Sequence, residues 1–196
     1  MSKTDPSAAK KERNKTIRWV VTIFFVTILV SGVITMLSDY IMSVSGMLVA
    51  FVILLVIIMV GILFDIIGVA VASADEKPFH SMASRKVPGA QNAIKLLRNA
   101  ERVSSICNDV VGDICGVISG SASATIAAQV IASSEGFSFP RLITLGMSAL
   151  VAGLTVGGKA LGKTFAMNSC TSIISFVGRF LYYLKNWPKM FKKKKK

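Results

Sequence analysis

Charged residues are scarce between the two ends of the sequence, and this scarcity limits the class of protein to which the chain can belong. Charged residues make up 17% of the 196 residues, whereas a soluble domain carries about 25%. Hydrophobic residues reach 53%, and the mean hydropathy is +0.62. The charges lie in short segments with long uncharged stretches between them. This distribution disfavours a soluble globular domain and favours a chain that has lipid as its solvent.

Several functional motifs are also missing. The three cysteines, Cys107, Cys115 and Cys170, have no metal-ligand spacing and lie in or beside apolar runs. We therefore expect free thiols rather than a disulfide framework. No P-loop, Rossmann fingerprint or nucleophile–base pair occurs, so we do not expect an enzyme. The net charge is +13, but no groove-reading element accompanies the basic residues, so we do not expect nucleic-acid binding either.

Four apolar runs approach or exceed the roughly 20 residues needed to cross a bilayer. We predict a membrane domain over residues 17–184, preceded by a basic disordered arm (1–16) and followed by a basic tail (185–196). The first run is too long for the apolar part of a signal peptide, so we expect a retained helix. The predicted spans are residues 17–37, 45–74, 104–133 and 142–165.

The lysines and arginines predict an orientation. The N-terminal arm, the segment 75–103 and the tail hold nearly all of them, whereas the turns near Asp39 and Glu135 have only Arg141. By the positive-inside rule, both termini are expected in the cytoplasm of a multi-pass protein of the plasma membrane. The predicted fold class is all-α, with four hydrophobic helices and a short break at residues 38–40.

The segment 75–103 is the one sizeable polar interior segment. Pro78, Pro88 and Gly89 predict a loop in its first half. From Ala90 onward, the residues Ile94, Leu97 and Val103 fall roughly along one side of a helix. We therefore predict an amphipathic helix on the cytoplasmic interface.

The third apolar run has a small residue at every fourth position. Small residues let two helix backbones approach closely in lipid. This spacing predicts a tight helix contact, which we expect within the chain, with a homodimer contact as the alternative. The residues are Gly112, Gly116, Gly120, Ala124 and Ala128.

Ionisable residues at membrane depth are the candidate functional residues, because they are costly to place there. Asp65 lies in the second run, and Asp109 and Asp113 begin the third, beside Asn108. Carboxylate and amide oxygens are the ligands that Mg²⁺ prefers. Alternatively, Asp109 and Asp113 lie at the interface near a positive helix N-terminus, and Asp65 pairs with a cationic side chain. Lys159 is a possible counter-ion, unless it extends to the surface.

Residues 65–184 resemble the transmembrane domain of the cyclin-M/CorB–CorC family of magnesium and cobalt transport and efflux proteins. Three local patterns carry this resemblance. IIGVAVASADEKPF is similar to a helix end in that family, with Gly68 and Ala72 in place. NAIKLLRNAERVSSI leads into NDVVGDI, which puts Asp109 and Asp113 at the positions of family asparagines. GKALGKTFA then precedes RFLYYL, as in the last family segment.

The resemblance implies a Mg²⁺ site and a homodimer, and it also marks departures. Ala70 and Lys159 stand where the family has glutamates, and we expect no pair of nucleotide-sensing CBS domains to follow. We therefore expect a divalent-cation (Mg²⁺-like) transport-related membrane protein, with Asp65, Asn108, Asp109 and Asp113 as ligands. The alternative is a non-transporting membrane scaffold or partner subunit. In either case the terminal lysines are expected to attract anionic lipid.

Overall fold

The computed structural model describes residues 6–44, 46–133 and 140–193. Every regular element in these ranges is helical, which confirms the all-α class. A π-helix, π1, interrupts one of the long helices. In chain order the elements are α1 (Pro6–Val44), α2 (Met47–Ser73), α3 (Lys77–Ser84), α4 (Ala90–Arg98), α5 (Ala100–Ser105), π1 (Ile106–Gly112), α6 (Asp113–Ser133), α7 (Pro140–Asn168) and α8 (Cys170–Lys193).

Four helical stretches are long and apolar enough to cross a membrane: Arg13–Ile41, Met47–Ser73, Ala100–Ser133 and Pro140–Asn168. They correspond to the four predicted spans, with differences at the first. Helix α1 has no break at residues 38–40 and continues to Val44, because Ser38, Asp39 and Tyr40 are all compatible with a helix interior when its neighbours are strongly helical. The predicted turn at residues 134–139 lies outside the described residues.

Helix α1 also begins earlier than expected. Its first residue is Pro6, so residues 6–16 of the predicted disordered arm are helical. Proline is tolerated in the first helical turn, and the following Ala, Lys, Glu and Arg residues favour helix. The start of the predicted basic tail likewise belongs to α8, which ends at Lys193.

Helix α2 is the centre of the bundle and packs against α6 and α7. A Cβ at Gly61 would lie 2.8 Å from Cys115 Cβ, and a Cβ at Gly68 would meet Asn108. Residue numbers rise along α2 while those of its partners fall, so α2 runs antiparallel to π1 and α6. Gly158 of α7 lies against Ile62 of α2, and Gly162, one turn later, lies against Ile66. Helix α7 therefore runs parallel to α2. Helix α1 packs mainly on α6.

Two buried clusters lie at different levels of the bundle. The first, the apolar end, joins the first half of α2 to α6 and α7 through aliphatic side chains. The second, the basal cluster, joins the last turns of α2 and α7 to α3, α4 and α8. The apolar end consists of Ala50, Leu54, Ile58, Ala122, Ile126 and Val151. The basal cluster consists of Ala70, Val71, Phe79, Ala93, Ile94, Leu97, Ala166 and Ile174.

The predicted amphipathic helix is present as α4, followed by α5. Ile94 and Leu97 are buried in the basal cluster, and Val103 packs against it. The apolar side of α4 thus faces other helices of the chain, since α8 covers it. Two further helices, α3 and α8, were not predicted as separate elements. Pro78 lies in the first turn of α3, where proline starts a helix rather than a loop.

Of the five small residues at four-residue spacing, only Gly112 is buried in the described part of the chain. Gly120, Ala124 and Ala128 are exposed. A Cβ added at Gly116 or Gly120 would have no neighbour within 4 Å among the described residues. The reason is geometric. At 3.6 residues per turn, each four-residue step rotates about 40° around the helix, so five such positions leave the buried side.

Candidate polar site in the helix bundle

Asp65 and Lys159 form an ion pair inside the bundle. Lys159 Nζ of α7 lies 3.6 Å from Asp65 Oδ1 of α2. The Lys159 side chain is only 25% exposed and the Asp65 side chain only 17%. Of the alternatives that the sequence left open, Asp65 as a salt-bridge partner and Lys159 as its counter-ion describe this geometry.

Gly112 makes room for this pair. It is the last residue of π1, and its missing Cβ would lie 3.2 Å from Lys159 Nζ and 3.4 Å from Asp65 Oδ1. A side chain at this position would crowd both charged groups. Three elements, α2, π1 and α7, therefore meet at the pair, and the first member of the small-residue series supports a polar site.

The π-helix places Asn108 against α2, one helical turn from the ion pair. Asn108 Oδ1 occupies the space that a Cβ on Gly68 would fill, so the two helices approach closely here. The amide Nδ2 donates a hydrogen bond to Ser104 Oγ at 3.3 Å. Within the described residues, the buried Oδ1 has no hydrogen-bond donor. Such an orphaned acceptor costs about 1–3 kcal/mol unless water or an ion satisfies it.

Asp109 and Asp113 lie outside this seam and are exposed. Ser105 Oγ donates a hydrogen bond to Asp109 Oδ2 at 2.7 Å. The role of Asp109 and Asp113 as metal ligands stays a prediction.

The predicted ligands are therefore divided between two surroundings. Asp65 and Asn108 face the seam between α2 and π1, whereas Asp109 and Asp113 are exposed. In the part of the chain that the structure describes, no three His, Cys, Asp or Glu side chains are grouped to hold a metal ion. We call Asp65, Asn108, Gly112 and Lys159 the polar centre. It offers one carboxylate, one amide oxygen and one ammonium group.

A second polar contact was not predicted. Ser121 Oγ of α6 donates a hydrogen bond to Asp39 Oδ1 of α1 at 3.3 Å. The neighbouring Ser38 is buried. The sequence signal was present, since an aspartate follows an apolar run, but the expected break at 38–40 assigned it to a turn. This contact attaches α1 to the bundle at a level away from the polar centre.

Comparison of the chain with protein-family models, curated proteins and solved structures gives no match. The resemblance to the cyclin-M/CorB–CorC family thus stays a prediction from the local patterns. The polar centre pairs a carboxylate with an ammonium inside an apolar bundle. Ionisable groups within helices that could span a membrane mark function by default.

Proposed function

We propose that this chain is an integral membrane protein with a divalent-cation (Mg²⁺-like) transport-related function. The observation that carries this proposal is the buried Asn108 Oδ1, an acceptor with no donor among the described residues, one helical turn from the Asp65 carboxylate. Oxygen donors of these two kinds are what Mg²⁺ takes from proteins, alongside several retained waters. The ion would enter as cargo rather than as a resident cofactor.

Membrane insertion is part of the proposal. Large apolar side chains along α1, such as Phe25 and Leu29, are more than half exposed. A water-soluble protein rarely exposes such a continuous apolar surface. Together with the lysine and arginine distribution, this supports a multi-pass protein of the plasma membrane with both termini in the cytoplasm.

In this mechanism Lys159 acts as the cation of the empty state. Its ammonium neutralises Asp65 while no metal is bound, which reduces the cost of keeping a carboxylate in the bundle. A divalent cation that reaches the seam between α2 and π1 competes with Lys159 for Asp65. Lys159 has a flexible four-carbon stem that allows it to withdraw. Asn108 Oδ1 then supplies a second oxygen without moving a charge.

The test is a Mg²⁺-dependent stabilisation of the purified full chain in detergent micelles. A ligand at 100 times its dissociation constant stabilises a protein by about 2.7 kcal/mol. We expect Mg²⁺ to raise the unfolding temperature of the wild type, and Asp65→Asn and Asn108→Ala to abolish this increase. Asn168→Ala is the matched control, because Asn168 is exposed at the end of α7.

Two results would contradict the proposal. One is a wild-type protein whose unfolding temperature does not change with Mg²⁺, measured against Na⁺ at equal ionic strength. The other is a Mg²⁺ response that persists in Asp65→Asn. Asp113→Ala tests whether the exposed Asp113 is also a ligand. Loss of the Mg²⁺ response in that variant would add Asp113 to the ligand set.

The 3.6 Å distance between Lys159 Nζ and Asp65 Oδ1 favours a second candidate, a non-transporting membrane scaffold or partner subunit. Here the ion pair replaces the metal permanently. Lys159→Glu distinguishes the two functions, because it creates two facing carboxylates that repel each other. We expect Mg²⁺ to rescue the stability of this variant if the centre binds cations, and to have no effect if the centre is only structural.

A homodimer, or a complex with another membrane subunit, belongs to both candidates. The exposed small residues of α6, Gly120, Ala124 and Ala128, are the surface available for it. Cross-linking of single-cysteine variants at Gly120, in a background without the native cysteines, would test this contact. A dimer that cross-links only from lipid-facing positions on α1 would contradict it.

A further inference from the structure

A groove opens between α4, α5 and α8, on the side of the bundle opposite the apolar end. Its volume is about 510 Å³. Leu96, Leu181 and Leu184 form an apolar wall, and two lysines, Lys95 and Lys185, line the same groove. The groove therefore combines a surface for a hydrocarbon chain with positive charge for an anion.

Other contacts hold the walls of this groove together. Asn92 Nδ2 of α4 donates a hydrogen bond to the carbonyl oxygen of Gly178 in α8 at 3.5 Å. A Cβ on Gly178 would lie 2.7 Å from the carbonyl oxygen of Gly89, so the two backbones are nearly in contact. Gly89 also has a φ of 90°, a conformation that glycine adopts at little cost. The groove is therefore built on a close helix crossing.

Helix α8 has an exposed apolar side next to the groove. Phe176, Phe180, Tyr183 and Leu184 recur at helical spacing and are 52–72% exposed. Leu184 belongs both to this side and to the groove. Aromatic side chains on one face of a helix that also carries lysines are typical of helices lying in a membrane interface.

The chain path brings this helix to the bilayer that the candidate spans would cross. Helix α7 ends at Asn168 and α8 begins at Cys170, so one residue separates a candidate span from α8. Residues 185–196 contain lysines but no aspartate or glutamate. A basic segment beside an apolar helix face is attracted by anionic lipid, at about 1 kcal/mol per lysine.

We propose that the groove binds one anionic phospholipid, with its phosphate between Lys95 and Lys185 and an acyl chain along Leu96, Leu181 and Leu184. This inference rests on the membrane insertion proposed above and is independent of the cation site. Asn99 and Val103 also line the groove, and they precede π1 by a few residues. A bound lipid thus touches the helix that leads to the polar centre.

Native mass spectrometry of the full chain in detergent, titrated with phosphatidylglycerol, tests this site. Phosphatidylcholine with the same acyl chains is the neutral comparison. We expect phosphatidylglycerol to bind more tightly, and Lys95→Gln/Lys185→Gln to weaken its binding about thirty-fold, the factor for two lysines of about 1 kcal/mol each. Lys77→Gln/Arg85→Gln removes two exposed charges elsewhere and should change the affinity by less than about twofold.

Three results would overturn the proposal. Equal weakening by both double variants would mean attraction to overall charge rather than a site. Displacement of the lipid by glycerol phosphate alone would mean a site for soluble phosphate. A loss of binding in Lys95→Arg/Lys185→Arg, which keeps both charges, would mean that the positive groups are not what holds the lipid. This last variant also controls for misfolding of the glutamine variant.

Discussion

One face of α2 packs against α6, π1 and α7, but the two halves of this face pack differently. The first half places Leu54 and Ile58 in the apolar end. The second half presents Gly61, Asp65 and Gly68, whose neighbours are Cys115, Lys159 and Asn108. The same helix therefore fills space with large side chains at one level and leaves space for polar groups at another.

This difference indicates how replaceable each contact is. In a bilayer, lipid tails can substitute for aliphatic contacts, because lipid is as apolar as leucine. Nothing in hydrocarbon can substitute for a counter-ion or for the space left by a glycine. We therefore expect substitutions at the polar centre to cost more stability than substitutions elsewhere, in the following order.

Lys159→Met should have the largest effect. It leaves the Asp65 carboxylate without its counter-ion in the bundle, and breaking a buried pair in this way costs about 3–5 kcal/mol. Asp65→Asn/Lys159→Met removes both charges and should recover most of this loss. Equilibrium unfolding in mixed detergent micelles measures both. Equal stabilities of the single and double variants would show that the pair does not contribute.

Gly68→Ala should have the next largest effect. The new methyl group would overlap Asn108 Oδ1, and such overpacking costs about 1–3 kcal/mol. Gly120→Ala is the matched control in α6, where a Cβ meets nothing within 4 Å among the described residues. It should leave stability unchanged or raise it by up to about 1 kcal/mol, the difference in helix propensity. The same unfolding assay decides, and a reversed order would contradict the close approach of α2 and π1.

Ser121→Ala should have the smallest effect. It removes the hydrogen bond to Asp39 Oδ1, and bonds between membrane helices average about 0.6 kcal/mol. Thr144→Ala is the control, since Thr144 Oγ1 donates to the carbonyl oxygen of Pro140 within its own helix. A loss at Ser121 as large as that at Lys159 would mean that the contact between α1 and α6 supports the whole bundle.

Helix length and apolar content were predictable from the sequence, because the four long apolar runs depend only on local composition. The contact between Asp65 and Lys159 was an open alternative, since charge alone did not identify which aspartate would pair with the lysine. The packing of the glycines was not predictable from their spacing. Gly61, Gly68 and Gly162 lie in contacts, whereas a Cβ at the evenly spaced Gly116 or Gly120 would meet no described atom within 4 Å. Burial depends on which face a neighbouring helix covers.

Helix α3 and π1 show two further limits. Proline marks a break in a helix interior and a start in its first turn, so Pro78 alone did not distinguish a loop from α3. The π-helix has no composition of its own, and nothing in residues 106–112 distinguishes a π-helix from an α-helix. The backbone winding of π1, which places Asn108 and Gly112 towards α2, could not be predicted from these residues.

The π-helix also has a consequence for how this gene can change by insertion and deletion. A π turn holds more residues than an α turn, so Ile106–Gly112 contains surplus chain that the flanking helices lack. Deleting one residue there, for example Val110, should restore regular α-helical winding while the helix ends remain in place. Deleting one residue within α6 would instead rotate one part of the helix by about 100° relative to the other. Tolerance to single deletions should therefore be concentrated in these seven residues.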